Sequence, residues 1–147
     1  MNAQEYDRMY ELEDRYWWFV GRRNLALRLL NDHLPQTSSP MLDLGCGTGV
    51  ILGELNKVGK TIGLDFSKQA LDYCVERKLS DLIQANGEYV PLQNEKFRAV
   101  VALDIIEHVE HDEKALHEVF RVLGVRSYIS LYLAGPIATT ACGHVCL

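Results

Sequence analysis

"LDLGCGTGV", residues 42–50, sets three glycines in five positions directly behind a short apolar run. Glycine loses more conformational freedom on folding than other residues, so this density marks a place where something must approach the backbone closely. "MLDL", 41–44, reads as a short buried strand, and the spacing predicts a helix from about Val50 to Lys57. Gly45, Gly47 and Gly49 spell G-x-G-x-G. The dinucleotide fingerprint G-x-G-x-x-G would put its third glycine at Val50, whose β-branched side chain weakens a nicotinamide reading. A tight turn serving only close helix–strand packing is the plain alternative.

Outward from the turn the pattern alternates. "KTIGLD" (60–65) reads as a second strand, and Ser67 caps a helix whose inner face carries Ala70, Leu71, Cys74 and Val75. "DLIQA" (81–85) is a third strand and "FRAVVALD" (97–104) a fourth, the latter apolar throughout, as when helices cover both faces. Asp112 is placed to cap a helix carrying Leu116, Val119, Phe120 and Leu123, and "SYISLYL" (127–133) is a fifth strand. The fold expected is α/β: a doubly wound, mostly parallel, Rossmann-like sheet of about five strands with helices on both faces. Helices precede it, one over residues 3–20 and another with Leu27, Leu30 and Leu34 on one face, before the linker "PQTSSP" (35–40). The expected division is an N-terminal helical cap over 1–38, a core over 39–133 and an irregular tail over 134–147. In such sheets ligands bind outside the carboxyl ends of the strands, where the glycine turn lies.

The 147-residue chain is long enough for one domain with its own core. Its net charge is −5 and its Lys and Arg are scattered, which disfavours nucleic acid as a partner. The opening "MNAQEYDRMYELEDRYWW" is polar, acidic and aromatic, so no signal peptide is expected. Cys46, Cys74, Cys142 and Cys146 do not form a disulfide framework, and a reducing cytoplasm is the expected compartment. "CGHVC" with His144 offers too few ligands for a metal site, so none is expected. Asp65, about 20 residues past the first glycine, ends the second strand where a carboxylate takes ribose hydroxyls; a plain surface aspartate is the competing reading.

At these residues the chain resembles the class I S-adenosylmethionine-dependent methyltransferases. "LDLGCGTG" is similar to their first motif, "GLDFS" to the acidic strand that follows, and "QANGEYVPL" to G-D-A-E-x-L-P-F. "FRAVVALDIIEHVEHDEKALHEVFRVL" resembles their fourth-strand motif and next helix, and "YWWFVGRRNLALRLL" the aromatic lid of one bacterial subgroup. The resemblance spans about residues 6–123 and implies S-adenosyl-L-methionine as cofactor and methyl transfer to a small-molecule acceptor. It assigns Gly45, Cys46, Gly47 and Gly49 to the cofactor's approach, Asp43 to its amino group and Asp65, with Phe66 beside it, to the ribose end. Asn86 and Gly87 fall at the adenine, with Asn86 where the family usually has aspartate, and Asp104 falls beside the methionine moiety.

The sulfonium makes the methyl electrophilic, so the protein's work is orientation and exclusion of water. His108 is the candidate general base for a hydroxyl acceptor, against a helix-start or supporting role; Glu107 is a weaker candidate, and His111 and His117 read as surface residues. Trp17, Trp18 and Phe19 either close over the site or anchor the first helix. The fourth strand lacks the Asn/Asp-Pro-Pro-aromatic turn of relatives that methylate exocyclic or amide nitrogens, which favours oxygen or carbon acceptors. After "RVL" the family's Lys-Pro-Gly-Gly turn is absent, as are a helix and the antiparallel hairpin that finishes the sheet. That leaves an open fifth-strand edge for a homodimer or a partner. A truncated or frameshifted, non-catalytic domain that binds cofactor weakly or serves as an interaction module is the alternative function. Residues 127–147 carry no formally charged side chain, yet Gly135–Pro136 and several Ser and Thr make them a poor membrane span, so no stable insertion is expected.

Overall fold

The computed structural model describes residues 3–33, 40–132 and 143–146. Leu34, the linker at 35–39 and residues 133–142 lie outside them. Two helices, α1 (Ala3–Leu12) and α2 (Trp17–His33), precede the alternating part. There follow β1 (Met41–Leu44), α3 (Val50–Val58), β2 (Thr61–Asp65), α4 (Lys68–Glu76), β3 (Leu82–Gln84), β4 (Phe97–Leu103), α5 (Asp112–Val122), β5 (Leu123–Tyr132) and β6 (Gly143–Cys146). A single 3-10 turn, Ile106–His108, links β4 towards α5.

The strands order as β3-β2-β1-β4-β5-β6. β1 pairs in parallel with β2 on one side and β4 on the other, through Leu42↔Ile62 and Leu42↔Val100. The chain therefore runs outward from β1 to β3 and restarts beyond β1 at β4, which places the switch point at the carboxyl ends of β1 and β4. Period-two alternation sorts the side chains between two layers. Leu42, Leu44, Val100 and Ala102 pack with Val119 and Val122 of α5, whereas Met41, Ala99 and Val101 pack with Leu30 of α2 and Leu55 of α3. Both faces are covered, which is why β4, Arg98 aside, reads as an apolar run. Burying each Leu or Val in these layers contributes roughly 1.5–3 kcal/mol.

The structure departs from the sequence reading at four places. The helix expected over 3–20 breaks at 13–16, where Tyr16 N donates to Leu12 O at 2.7 Å and the chain turns. Asp112, expected as a cap, is the first residue of α5; the cap position is His111, which makes no side-chain cap bond. β5 begins at Leu123, opposite Phe97, and its register with β4 slips before Ala99 meets Tyr128. Finally, β6 pairs antiparallel with β5 through Ile129↔Val145, so the β5 edge assigned to a partner carries part of this chain's expected irregular tail. Ser67 behaves as predicted, its Oγ accepting from Ala70 N at 3.3 Å. Among the described residues no helix is long and apolar enough to cross a membrane.

Candidate functional site

The glycine turn hangs on the end of β2. Leu64 O accepts from both Gly45 N (2.7 Å) and Cys46 N (3.0 Å), which curls the chain back at the sheet's rim. Gly47 and Gly49 then take left-handed backbone angles, φ 53° and 88°, which favour glycine. Their surroundings differ. A Cβ on Gly49 would lie 2.7 Å from a Leu79 methyl and 2.8 Å from Cys74 Sγ, so its smallness serves the seating of α4. A Cβ on Gly47 would meet only the flexible end of Met9, at 3.2 Å. Gly47 N donates to Asp65 Oδ2 and Ser67 N to Asp65 Oδ1, each at 2.8 Å.

A cavity of about 1480 Å³ opens above this turn, at the carboxyl ends of β1, β2 and β4. Every residue assigned from the sequence to the cofactor lines it except Gly49, and so does His108. Its size exceeds the roughly 300–1,000 Å³ usual for one small ligand, leaving room for a second molecule beside the first. From the N-terminal helices come Tyr6, Met9, Trp18, Phe19 and Arg22, and from the corner between them Tyr16. Trp17, 71% exposed, is not on its wall.

Carboxylates dominate the floor. Asp43 lies within β1, and burial, with the charge of Asp65 adding to it, pushes its carboxyl up to about 7. Its Oδ2 is buried without a hydrogen-bond partner. So is Oδ1 of Asp104, a residue held at φ 54° just past β4, whose Oδ2 pairs with the Arg22 guanidinium. Burial also raises Asp65, against the opposing pull of the Ser67 and Gly47 amides. Two buried carboxylate oxygens without hydrogen-bond partners, on residues that line a cavity, favour a cation or a hydrogen-bond donor beside them.

The remaining sequence candidates are placed as follows. The Cys46 thiol is driven up by a hydrogen bond with Cys74 and by burial, and packs with Leu52, Leu71 and Cys74, so it is an inert core thiol whose backbone shapes the turn. Phe66 stands 75% exposed at the rim just past Asp65. Gly87 is buried beside exposed Asn86, whose Oδ1 already accepts from Glu88 N at 2.9 Å, leaving one lone pair for a ligand. His108 is exposed on the cavity wall at the end of the 3-10 turn.

Four contributors escaped the sequence reading of the site. Arg22 and Tyr6 come from helices remote in sequence. Glu88 accepts from the amides of Glu110 (3.0 Å) and His111 (3.1 Å) and meets His111 Nδ1 at 3.1 Å. Burial raises its carboxyl, but these donors outweigh burial and hold it low. Glu88 thus ties the Asn86 loop to the segment carrying His108, and His111, exposed as a surface residue should be, is its partner. The Glu of the "NGEYV" stretch was the available signal. The fourth, Glu13, sits in the corner between α1 and α2 and accepts from Thr48 of the glycine turn at 2.5 Å.

A family profile described as "Methyltransferase domain" matches residues 42–131. Protein MJ1252 of Methanocaldococcus jannaschii is 30% identical over 122 residues, covering 82% of this chain and 44% of that protein. The mitochondrial ubiquinone biosynthesis O-methyltransferase of Dictyostelium discoideum is 26% identical over 108 residues, covering 62% of this chain and 34% of that enzyme. The chain thus spans between a third and a half of the length of these curated relatives. Among solved structures, a Methanococcus maripaludis protein described as an S-adenosyl-L-methionine-dependent methyltransferase superposes with TM-score 0.76. That pair shares 20% identity over 89% of this chain and 63% of the other, a likeness that shows the fold.

Proposed function

Because the chain belongs to the methyltransferase domain family, we propose that it binds S-adenosylmethionine on the glycine turn and directs methyl transfer to the oxygen or carbon of a small-molecule acceptor. The observation carrying this reading is the pair of unpartnered buried carboxylate oxygens, Asp43 Oδ2 and Asp104 Oδ1, on residues that line the same cavity as Asp65 and the turn. An ammonium group supplies the donors they lack, and Asp65 keeps lone pairs for two vicinal hydroxyls beyond its two backbone amides. An amino acid joined to a ribonucleoside carries both groups, so the residues present fit this cofactor. NAD carries no ammonium group to meet Asp43 and Asp104.

When bound, the cofactor supplies a methyl group already activated by its sulfonium, so no covalent step is asked of the protein. Asp43 and Asp104 hold the amino end, and Arg22, already facing Asp104, is within the cavity for the carboxylate. Phe66 offers its ring face and Asn86 its remaining acceptor site to the adenine. His108 takes the proton from a hydroxyl acceptor. Tyr16, Trp18 and Phe19 form an aromatic wall that excludes water and orients an apolar acceptor, with α1 and α2 acting as the lid. Orientation of this kind lowers a bimolecular barrier by up to ~7–11 kcal/mol. The turn after β4, "DIIEHV", lacks the Pro-Pro-aromatic element associated with amide and exocyclic nitrogens, which supports oxygen or carbon. The cytoplasm is the proposed compartment, supported by two buried cysteines, Cys46 and Cys74, that lie side by side without a disulfide between them.

Calorimetric titration of the folded chain with S-adenosylmethionine and with NAD tests the reading. Micromolar binding of the first and none of the second is expected; no binding of S-adenosylmethionine overturns it. Release of labelled methyl to acceptors then separates an active transferase from a domain that only holds the cofactor.

A further inference from the structure

The corner that breaks the N-terminal helix buries a carboxylate. Glu13 is 3% exposed, and its Oε1 receives the Thr48 hydroxyl at 2.5 Å and Arg77 Nη2 at 2.7 Å. Thr48, 1% exposed, stands between Gly47 and Gly49, and its carbonyl accepts from Arg77 Nε at 3.0 Å. Asp14 extends the cluster by accepting from Arg77 and from Arg23 of α2, both at 3.0 Å. Three segments distant in sequence thus meet at one oxygen: the α1–α2 corner, the glycine turn and the end of α4.

What holds α1 makes this contact consequential. The helix buries none of its own side chains, and ten residues alone form a marginal helix in water. Its attachments are polar and aromatic. Asp7 Oδ1 accepts from Tyr73 Oη at 2.6 Å and from Gln69 Nε2 at 2.5 Å, and Tyr10 stacks on Tyr73 with centroids 4.2 Å apart. The Arg77 guanidinium sits 4.7 Å from the Tyr10 ring centroid, so the side chain that binds Glu13 also braces the stack. Docked this way, α1 lays Tyr6 beside Asp65 and Ser67, over the part of the cavity assigned to the ribose.

We propose that Glu13 is a positioning residue for the cofactor: its contact with Thr48 fixes the glycine turn and docks α1 over Asp65 in one step. The inference rests on reading the turn as an S-adenosylmethionine site. The physical reason is geometric. Gly47 must present its amide to Asp65 from a left-handed conformation, and the residue that follows it is the one Glu13 grips. Release of Thr48 frees the turn to relax and unseats the lid together.

The test is a set of variants of the full chain titrated with S-adenosylmethionine. Thr48→Val removes only the hydroxyl and should weaken binding at least ~10-fold, the scale of one hydrogen bond to a charged group. Thr48→Ser restores the donor and should return affinity to within about threefold of wild type. Glu13→Gln, which keeps an acceptor oxygen, should fall between wild type and Glu13→Ala. Hydrogen exchange without ligand provides a second readout: α1 amides should exchange faster in Thr48→Val while those of β1 and β4 do not. Folded Thr48→Val with wild-type affinity and wild-type α1 exchange overturns the proposal. Failure of the wild type itself to bind the cofactor overturns the underlying assignment instead, and is seen before any variant is compared.

Discussion

The amide of Gly47 meets Oδ2 of Asp65 at 2.8 Å, joining the turn after β1 to the end of β2 through one side chain. Asp65 therefore shapes the turn as well as facing the cavity. Asp65→Ala is expected to abolish measurable S-adenosylmethionine binding, because each hydrogen bond lost from a charged acceptor costs roughly 1.5–3 kcal/mol. It should also lower stability by about 1–3 kcal/mol, since the amides of Gly47 and Ser67 lose their acceptor. Calorimetry and urea unfolding check the two effects separately. Unchanged affinity in the folded variant would remove Asp65 from the ribose site.

Asp43 gives the site a pH dependence. Burial and the charge of Asp65 raise its folded pKa to about 7, above an unfolded value near 3.9. The folded state then binds more protons than the unfolded one between these values, so this group's contribution to stability is complete below about pH 4 and fades as pH rises through about 7. Asp43→Asn should accordingly be more stable than wild type at pH 8, with the advantage shrinking towards pH 4. A cationic ligand reverses the sense, because it favours the ionised carboxylate. Cofactor affinity should rise several-fold from pH 6 to pH 8 in wild type and stay flat in Asp43→Asn, as read by titration at both values. Equal pH profiles would exclude Asp43 from contact with the ammonium group.

The sheet was legible because its strands are apolar runs whose pattern needs no knowledge of partners. "MLDL" and "FRAVVAL" become β1 and β4 within a residue of the boundaries read from sequence. The α1–α2 corner was not legible. Glu13 looks like any solvated helix residue until Arg77 and Thr48 arrive from 64 and 35 positions away. The same holds for Arg22, which becomes a cavity residue only when the fold brings it to Asp104, 82 positions away. Local chemistry was read well at Ser67 and poorly at Asp112, since two adjacent polar residues compete for one cap position and tertiary contact decides. Here Glu88 takes the amide and ring of His111, which sets where α5 begins.

His108 lies on the cavity wall, with its backbone amide bonded to Ile105 O at 2.9 Å, so its position does not depend on the imidazole. His108→Ala should leave cofactor affinity within about twofold while lowering methyl transfer to a hydroxyl acceptor by roughly 10²–10⁴-fold, the range for general-base catalysis. Release of labelled methyl at several pH values is the measurement. A variant that retains full turnover assigns proton removal to another group or to an acceptor that needs none.

Two glycines in one segment separate conformational need from helix propensity. Gly49 has φ 88°, and a Cβ there would lie 2.7 Å from Leu79 and 2.8 Å from Cys74 Sγ. Gly53 is interior to α3, and a Cβ there would rest 3.8 Å from Leu79, an ordinary contact. Gly49→Ala combines left-handed strain of about 1–2 kcal/mol with overpacking of about 1–3 kcal/mol against α4. Gly53→Ala should stabilise by roughly 0.5–1 kcal/mol through the lower backbone entropy of the unfolded chain. Urea unfolding of the two variants should therefore move the midpoint in opposite directions. Because Gly49 is absent from the cavity wall, the cofactor affinity of Gly49→Ala should fall only where α3 and α4 have shifted. Tight binding by a destabilised but folded Gly49→Ala would support the reading that this glycine serves the packing of α4 while Gly45 and Gly47 line the cavity.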